Sequence, residues 1–229
     1  MTTVHAPRRR RPGFGKVLRL PGVYAPQADS HFLAEAMLRE HVAGLDVLDL
    51  CSGSGVLAAR AARLGAQATA VDISHRAVLT ARLNALLTRQ QVAVHRGDLL
   101  GAVPGRTFDL IVSNPPYVPA PPVALPSHGS ARAWDAGPDG RALLDRICDA
   151  AAPALRPGGT LLLVHSTVSG PEASVRRLRE AGLRAGVSDR AYVPLGPVMR
   201  KRQTWLRERG LLSPGEDKEE LVIIRAEKR

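Results

Sequence analysis

Between residues 45 and 181 short apolar runs alternate with Ala- and Leu-rich amphipathic runs in strict turn, and this constrains the fold more than any other feature. The runs at 45–50, 68–71, 92–95, 108–113 and 160–165 have the length and composition of strands. Residues 56–64, 74–88, 142–155 and 172–181 carry helical apolar spacing. Gly65 and the run Arg156-Pro157-Gly158-Gly159 read as helix stops. A helix is also predicted over 31–42, with Ser30 as its N-cap. A last strand, 221–224, arrives with no helix before it and is free to enter antiparallel. Strand and helix in turn predict an α/β, Rossmann-like sheet, mostly parallel and covered by helices on both faces. Two long stretches, 117–140 and 191–219, read as irregular, and loops of that length in a compact domain usually carry function or move.

The 229 residues suit one large domain, predicted over 17–229 with an insert at about 191–219. Residues 1–16, polar and basic with four prolines and glycines, predict a flexible arm. The formal charge of +11 suggests a polyanionic partner such as rRNA, the ribosome or DNA. The only lysines are Lys16, Lys201, Lys218 and Lys228, so most of this charge is arginine spread along the chain. Cys51 and Cys148 are too few for a disulfide framework or a Cys-rich zinc site, and no metal set is predicted. No apolar run is long enough to span a membrane and no apolar stretch follows the N-terminal arginines, so a cytoplasmic chain without a membrane role is expected.

In an open parallel sheet, ligands bind beyond the carboxyl ends of the strands. The first strand ends in Asp49-Leu50-Cys51-Ser52-Gly53-Ser54-Gly55, where small residues let the backbone pass close beneath a ligand. Residues 53–58 match G-x-G-x-x-A, so a nicotinamide or flavin enzyme stays open at this point. Three acids favour S-adenosyl-L-methionine (SAM) instead. Asp49 stands before the turn, where it would hold a methionine amino group and repel a pyrophosphate. Asp72 ends the second strand and can accept from ribose hydroxyls, and Asp98 follows the third and can accept from an adenine amine. The candidate cofactor set is Asp49, Cys51, Ser52, Gly53, Gly55, Asp72, Ile73, Asp98 and Leu99, with Asn114 shared.

The fourth strand ends in Asn114-Pro115-Pro116-Tyr117, the candidate catalytic set. Two prolines remove backbone donors and fix φ, aiming the Pro115 carbonyl. That carbonyl and the Asn114 side-chain oxygen form two acceptors matched to a planar NH2 group, whose delocalised lone pair makes it a poor nucleophile. Accepting both N–H bonds favours positive charge on the nitrogen, and Tyr117 can stack on the flat face. No strong general base is required and none is evident.

Asp49 to Gly55, Asp72, Gly97-Asp98 and Asn114 to Tyr117 together resemble the HemK-type class I methyltransferases, which modify the glutamine of the Gly-Gly-Gln motif in translation release factors. The resemblance implies a seven-stranded sheet with the last strand antiparallel, and runs from about Tyr24 to Ile224. Tyr24-Ala25-Pro26-Gln27-Ala28-Asp29-Ser30 is similar to the Y-x-P-x-x-D-[ST] segment of the family's short branch, implying that Tyr24, Asp29 and Ser30 lie at the cofactor. The stretch from Trp134 to Gly140 is similar to the family's W-x-x-G-x-D-G. Cys51 departs from the pattern, standing where the family has a glycine and narrowing the space beside the methionine part of SAM. The longer bacterial enzymes carry an N-terminal helical domain, for which these 229 residues leave no room, so the short branch is the expectation. The short branch acts with a small zinc-binding activator protein, so a partner of that kind is an expectation. Exocyclic amines of rRNA or DNA and small molecules remain alternative acceptors. Within 191–212, Trp205, Leu206, Leu211 and Leu212 could meet a substrate or pack on the domain.

Overall fold

The structure, a computed structural model, describes residues 13–121 and 130–229. Residues 1–12 of the basic arm and 122–129 of the first long stretch lie outside them. In chain order the elements are α1 (Ala28–Leu38), β1 (Asp46–Leu50), α2 (Val56–Arg63), β2 (Gln67–Asp72), α3 (His75–Leu87), β3 (Val92–Arg96), β4 (Phe108–Ser113), α4 (Ala142–Ala154), β5 (Leu155–Ser166), α5 (Pro171–Glu180), β6 (Arg184–Pro194), α6 (Pro197–Lys201), α7 (Gln203–Glu208) and β7 (Lys218–Glu227). The seven strands form one sheet in the order β3-β2-β1-β4-β5-β7-β6. Pairing is parallel from β3 through β5, and β7 runs antiparallel to both β5 and β6.

Alternate strand residues feed two separate cores, because successive side chains leave a strand on opposite faces and both faces are covered. Leu161 and Leu163 of β5, with Val222 and Ile224 of β7, pack among α4 and α5. Leu162, Val164 and Ile223 pack with Leu33 and Met37 of α1 and Val56 and Leu57 of α2. Local chemistry sets the element ends. The Ser74 side chain caps α3 by accepting from the Ala77 N–H, and Gly65, at φ 93°, follows α2 and lets the chain turn back into β2.

Three expectations are corrected. Ser30 is not the cap of α1. The helix begins three residues earlier behind Gln27, which buries Ser30 in its first turn. The Arg156-to-Gly159 run is absorbed into β5, whose pairing with β4 shifts register between Phe108 and Leu110. The 191–219 stretch is shorter than expected, because β6 carries the chain to Pro194 and β7 starts at Lys218. What remains, 195–217, buries Leu195, Met199, Leu206 and Leu212 in the α4/α5 core, with Trp205 and Leu211 half-buried against it. Of the arm, residues 13–16 are described, and the Phe14 ring stacks on His31 at 4.6 Å. At the start of the domain the Leu18 backbone exchanges hydrogen bonds with the Asn84 amide.

Candidate active site

A cavity of about 260 Å³ opens beyond the carboxyl ends of β1, β2 and β4, where the sheet order reverses. Of the residues singled out from sequence, Tyr24, Asp29, Ser30, Asp49, Cys51, Ser52, Gly53, Asp72, Ile73, Asp98, Leu99 and Asn114 to Tyr117 all line it. Gly55 does not, which corrects its assignment to the cofactor. A Cβ there would fall 2.6 Å from the Ala81 Cβ, so Gly55 lets α2 and α3 approach, and its φ of 74° starts α2.

At the floor, Asp49 is 1% exposed. Its Oδ2 accepts from the Ala58 N–H at 3.1 Å, while Oδ1 is buried with no partner among the described residues. Burial, and to a smaller extent Asp72, push this carboxyl up to about 8 against the Ala58 hydrogen bond. The Ser52 Oγ, which lines the same cavity, is also buried without a partner among the described residues. Buried polar atoms are rarely left unpaired, so two at one cavity floor mark where a ligand's cation and donors belong. Asp72 accepts from the Gly53 N–H through Oδ2 at 2.9 Å and from the Ser74 N–H through Oδ1 at 2.8 Å, which ties the glycine turn to the end of β2. Each of these oxygens keeps a second lone pair for a hydroxyl donor. Ile73 turns an exposed apolar side chain into the wall beside it.

Two of the lining residues carry chemistry of their own. Asp98 reaches the cavity already paired with Arg146 of α4, Nη2 to Oδ2 at 2.7 Å, with both side chains about half exposed. A pair that open is worth no more than about 1 kcal/mol and can yield to an amine. Cys51 adopts φ 58°, a left-handed conformation costly for a residue with a Cβ. Burial and the nearby Asp72, Asp49 and Asp98 push its thiol up, so it stays protonated and is no nucleophile.

The other end of the cavity is held by side chains far apart in sequence. The Tyr24 hydroxyl donates to Asp29 Oδ2 at 2.8 Å and the Tyr117 hydroxyl donates to the same oxygen at 3.2 Å. Both phenols are pushed up, first by burial and then by Asp29. Tyr117 is 8% exposed, so it forms cavity wall anchored by its hydroxyl, which narrows the stacking role expected from sequence. Asn114 Nδ2 donates to Ser30 Oγ at 3.2 Å. Asn114 Oδ1 and the Pro115 carbonyl take no hydrogen bond among the described residues.

The chain beyond this turn is fastened from three sides. Val118 donates its N–H to the Trp134 carbonyl and accepts from the Ala136 N–H, and Ser169 Oγ donates to the Tyr117 carbonyl at 2.8 Å. Arg202, from the link between α6 and α7, pairs with Asp135 at 2.6 Å and donates to the Pro119 carbonyl at 3.0 Å. The 195–217 segment therefore buttresses the cavity wall. Gly140 closes the arrangement, since a Cβ there would lie 2.3 Å from the Tyr117 carbonyl oxygen. Sequence reasoning missed Arg146 and Arg202. In a chain this rich in arginine neither stands out, and only the acid each meets gives it a place.

The sequence model of the methyltransferase small domain matches residues 15–123. A putative protein N5-glutamine methyltransferase of Methanocaldococcus jannaschii is 32% identical over 180 residues, covering 78% of this chain and 90% of that protein. The release factor glutamine methyltransferase of Gloeobacter violaceus is 36% identical over 164 residues, 66% of this chain, and the match spans only 57% of that longer protein. Among solved structures, the chain resembles the E. cuniculi Mtq2–Trm112 complex, responsible for methylating the termination factor eRF1. That match has a TM-score of 0.66 and 25% identity, and it covers 91% of this chain and 99% of that one.

Proposed function

This chain belongs to the HemK-type family of class I SAM-dependent methyltransferases, and we propose on that footing that it methylates the side-chain amide of a protein glutamine, with a translation release factor as its first substrate. The observation that carries the reading is the pair of acceptors without a partner among the described residues, Asn114 Oδ1 and the Pro115 carbonyl, on residues that line the same cavity as Asp49, whose Oδ1 is likewise unpaired among them.

When bound, SAM supplies an electrophilic methyl on a sulfonium and is left as S-adenosyl-L-homocysteine. Asp49 and Ser52 would hold the donor's amino-acid part, Asp72 its ribose, and Ile73, Asp98 and Leu99 its base. Asn114 and Pro115 accept the two N–H bonds of the acceptor amide, which places the nitrogen and stabilises the positive charge that develops on it. Pro116 fixes the backbone that aims the Pro115 carbonyl. The Tyr24 and Tyr117 hydroxyls and the Cys51 thiol keep their protons, so none of them serves as a base, and the nitrogen's proton passes to water.

A release factor as substrate would place the reaction in the cytoplasm. A relative of this chain is a complex with the small protein Trm112, and a small activator is proposed here on that likeness. Activity of the purified chain alone would remove the need for one. The test of the acceptor is incubation of the chain with SAM and a release factor, followed by mass spectrometry of the Gly-Gly-Gln peptide. One methyl on that glutamine supports the reading. An unmodified peptide alongside methylated rRNA would overturn it and give the +11 charge a substrate.

A further inference from the structure

Asn114 can serve as described only if its amide presents oxygen to the cavity. A side-chain amide rotated by half a turn would present NH2 instead and would repel the N–H groups it is meant to accept. The two orientations have nearly the same shape, so packing does not choose between them. We propose that Asp29 and Ser30 make the choice, acting as positioning residues that fix the Asn114 amide through a one-way chain of hydrogen bonds. This rests on the amide-methylation reading above.

The number of protons around Asp29 sets the direction of the chain. The Asp29 carboxylate, 3% exposed, is surrounded by four donors. Oδ2 takes the Tyr24 and Tyr117 hydroxyls, and Oδ1 takes the Ser30 N–H at 2.6 Å and the Ser30 Oγ at 3.2 Å. An acceptor-only group so placed requires every hydroxyl around it to donate. Ser30 has a single hydroxyl proton, and it points at Asp29. Its oxygen therefore faces Asn114, 3.2 Å away, with lone pairs only, and the atom of Asn114 that meets it must be the NH2. Oδ1 is then turned to the cavity. The polarity runs from Asn114 to Ser30 to Asp29 across 84 positions of sequence.

This differs from the role the resemblance implies for the pair, which is contact with the cofactor. A cofactor contact is lost as donor affinity. A positioning role is lost as turnover, because a freely rotating amide offers its oxygen only part of the time and misaligns the acceptor nitrogen.

The test compares Ser30→Ala and Ser30→Thr with the parent chain, by two independent readouts. The first is kinetic. Ser30→Ala is expected to lower kcat on the order of 10- to 100-fold, with the dissociation constant for SAM within about twofold of the parent. Ser30→Thr, which keeps the hydroxyl and its proton count, is expected to restore turnover. The second needs neither donor nor acceptor. The Asn114 side-chain NH2 signals, identified by their loss in Asn114→Ser, are followed by 15N NMR. In the parent and in Ser30→Thr one of the two protons should be shifted and slowed in exchange by its hydrogen bond. In Ser30→Ala both should return to solvent-exposed values. Unchanged Asn114 signals in Ser30→Ala would overturn the proposal. Weakened SAM binding with unchanged kcat would do the same and return the pair to the cofactor. A parent chain that fails to methylate any amide would sink the functional reading, while the NMR comparison would still decide the orientation of Asn114.

Discussion

At the Asp49 end of the cavity the working groups are set by backbone close in sequence, whereas at the Asn114 end they are set by side chains brought from across the chain. Asp49 is placed by the Ala58 N–H and Asp72 by the N–H groups of Gly53 and Ser74. These partners lie at adjoining strand ends and helix starts. Asn114 depends on Ser30 and Asp29 of α1, and its turn depends on Ser169, Gly140 and the Arg202–Asp135 pair. The donor end uses a frame that parallel strands make almost unaided, and the acceptor end uses one assembled from across the chain.

If the two ends are separable, damage to each should appear in a different quantity. The largest effect is expected for Asn114→Ala. It should cut kcat roughly 100- to 1,000-fold while SAM affinity, measured by calorimetry, stays within about twofold. Loss of SAM binding in that variant would break the distinction between the ends.

Next in size is Gly140→Ala. Its Cβ would run into the Tyr117 carbonyl oxygen and Ser169 Oγ at a φ of 73°. Chemical denaturation should show a loss of about 3 kcal/mol, with turnover reduced and SAM affinity spared in the protein that remains folded. Unchanged stability would mean that the wall behind Tyr117 is soft.

Asp49→Asn tests the donor end and should lower SAM affinity on the order of 10- to 100-fold, the worth of a charge-assisted hydrogen bond. It also carries a pH signature. The Asp49 carboxyl stands at about 8 in the fold against 3.8 unfolded. The folded state thus holds a proton that the unfolded chain gives up, and stability falls as pH rises from about 4 through 8. Asparagine mimics the protonated form. Without ligand, the variant should melt at the same temperature as the parent near pH 4 and progressively above it toward pH 9. A constant difference across that range would remove the raised Asp49 from the account.

The smallest effect is expected at Cys51→Gly. Relief of the left-handed backbone is offset by the added freedom of glycine in the unfolded chain, leaving a gain of about 1 kcal/mol or less. A loss in denaturation experiments would show that the Cys51 side chain contributes packing worth more than the strain.

The same contrast explains what was legible in the sequence. Strand β4 has the bounds read from its apolar run, α3 lies within the helix read over 74–88, and Asp49, Asp72 and Asp98 stand at successive strand ends, because each is a local pattern. Strand β6 escaped notice. As an edge strand with one bulge it buries only Ala185 and Val193, so its arginines and glycine break the alternation that marks a buried strand. Gly55 matched a cofactor fingerprint yet serves helix packing, a difference that depends on where Ala81 sits. The Asn114–Ser30–Asp29 chain and the Arg202–Asp135 pair were illegible for the same reason, since each joins residues whose proximity exists only in the fold.

On the proposal above, this site delivers methyl groups to a protein amide through Asn114. The most direct test is transfer of labelled methyl from SAM into a cell extract, by the parent chain and by Asn114→Ala, with protease and nuclease digestion run separately. The account predicts label that protease alone releases and that Asn114→Ala fails to transfer. Label released by nuclease alone, or transferred equally well by Asn114→Ala, would contradict it.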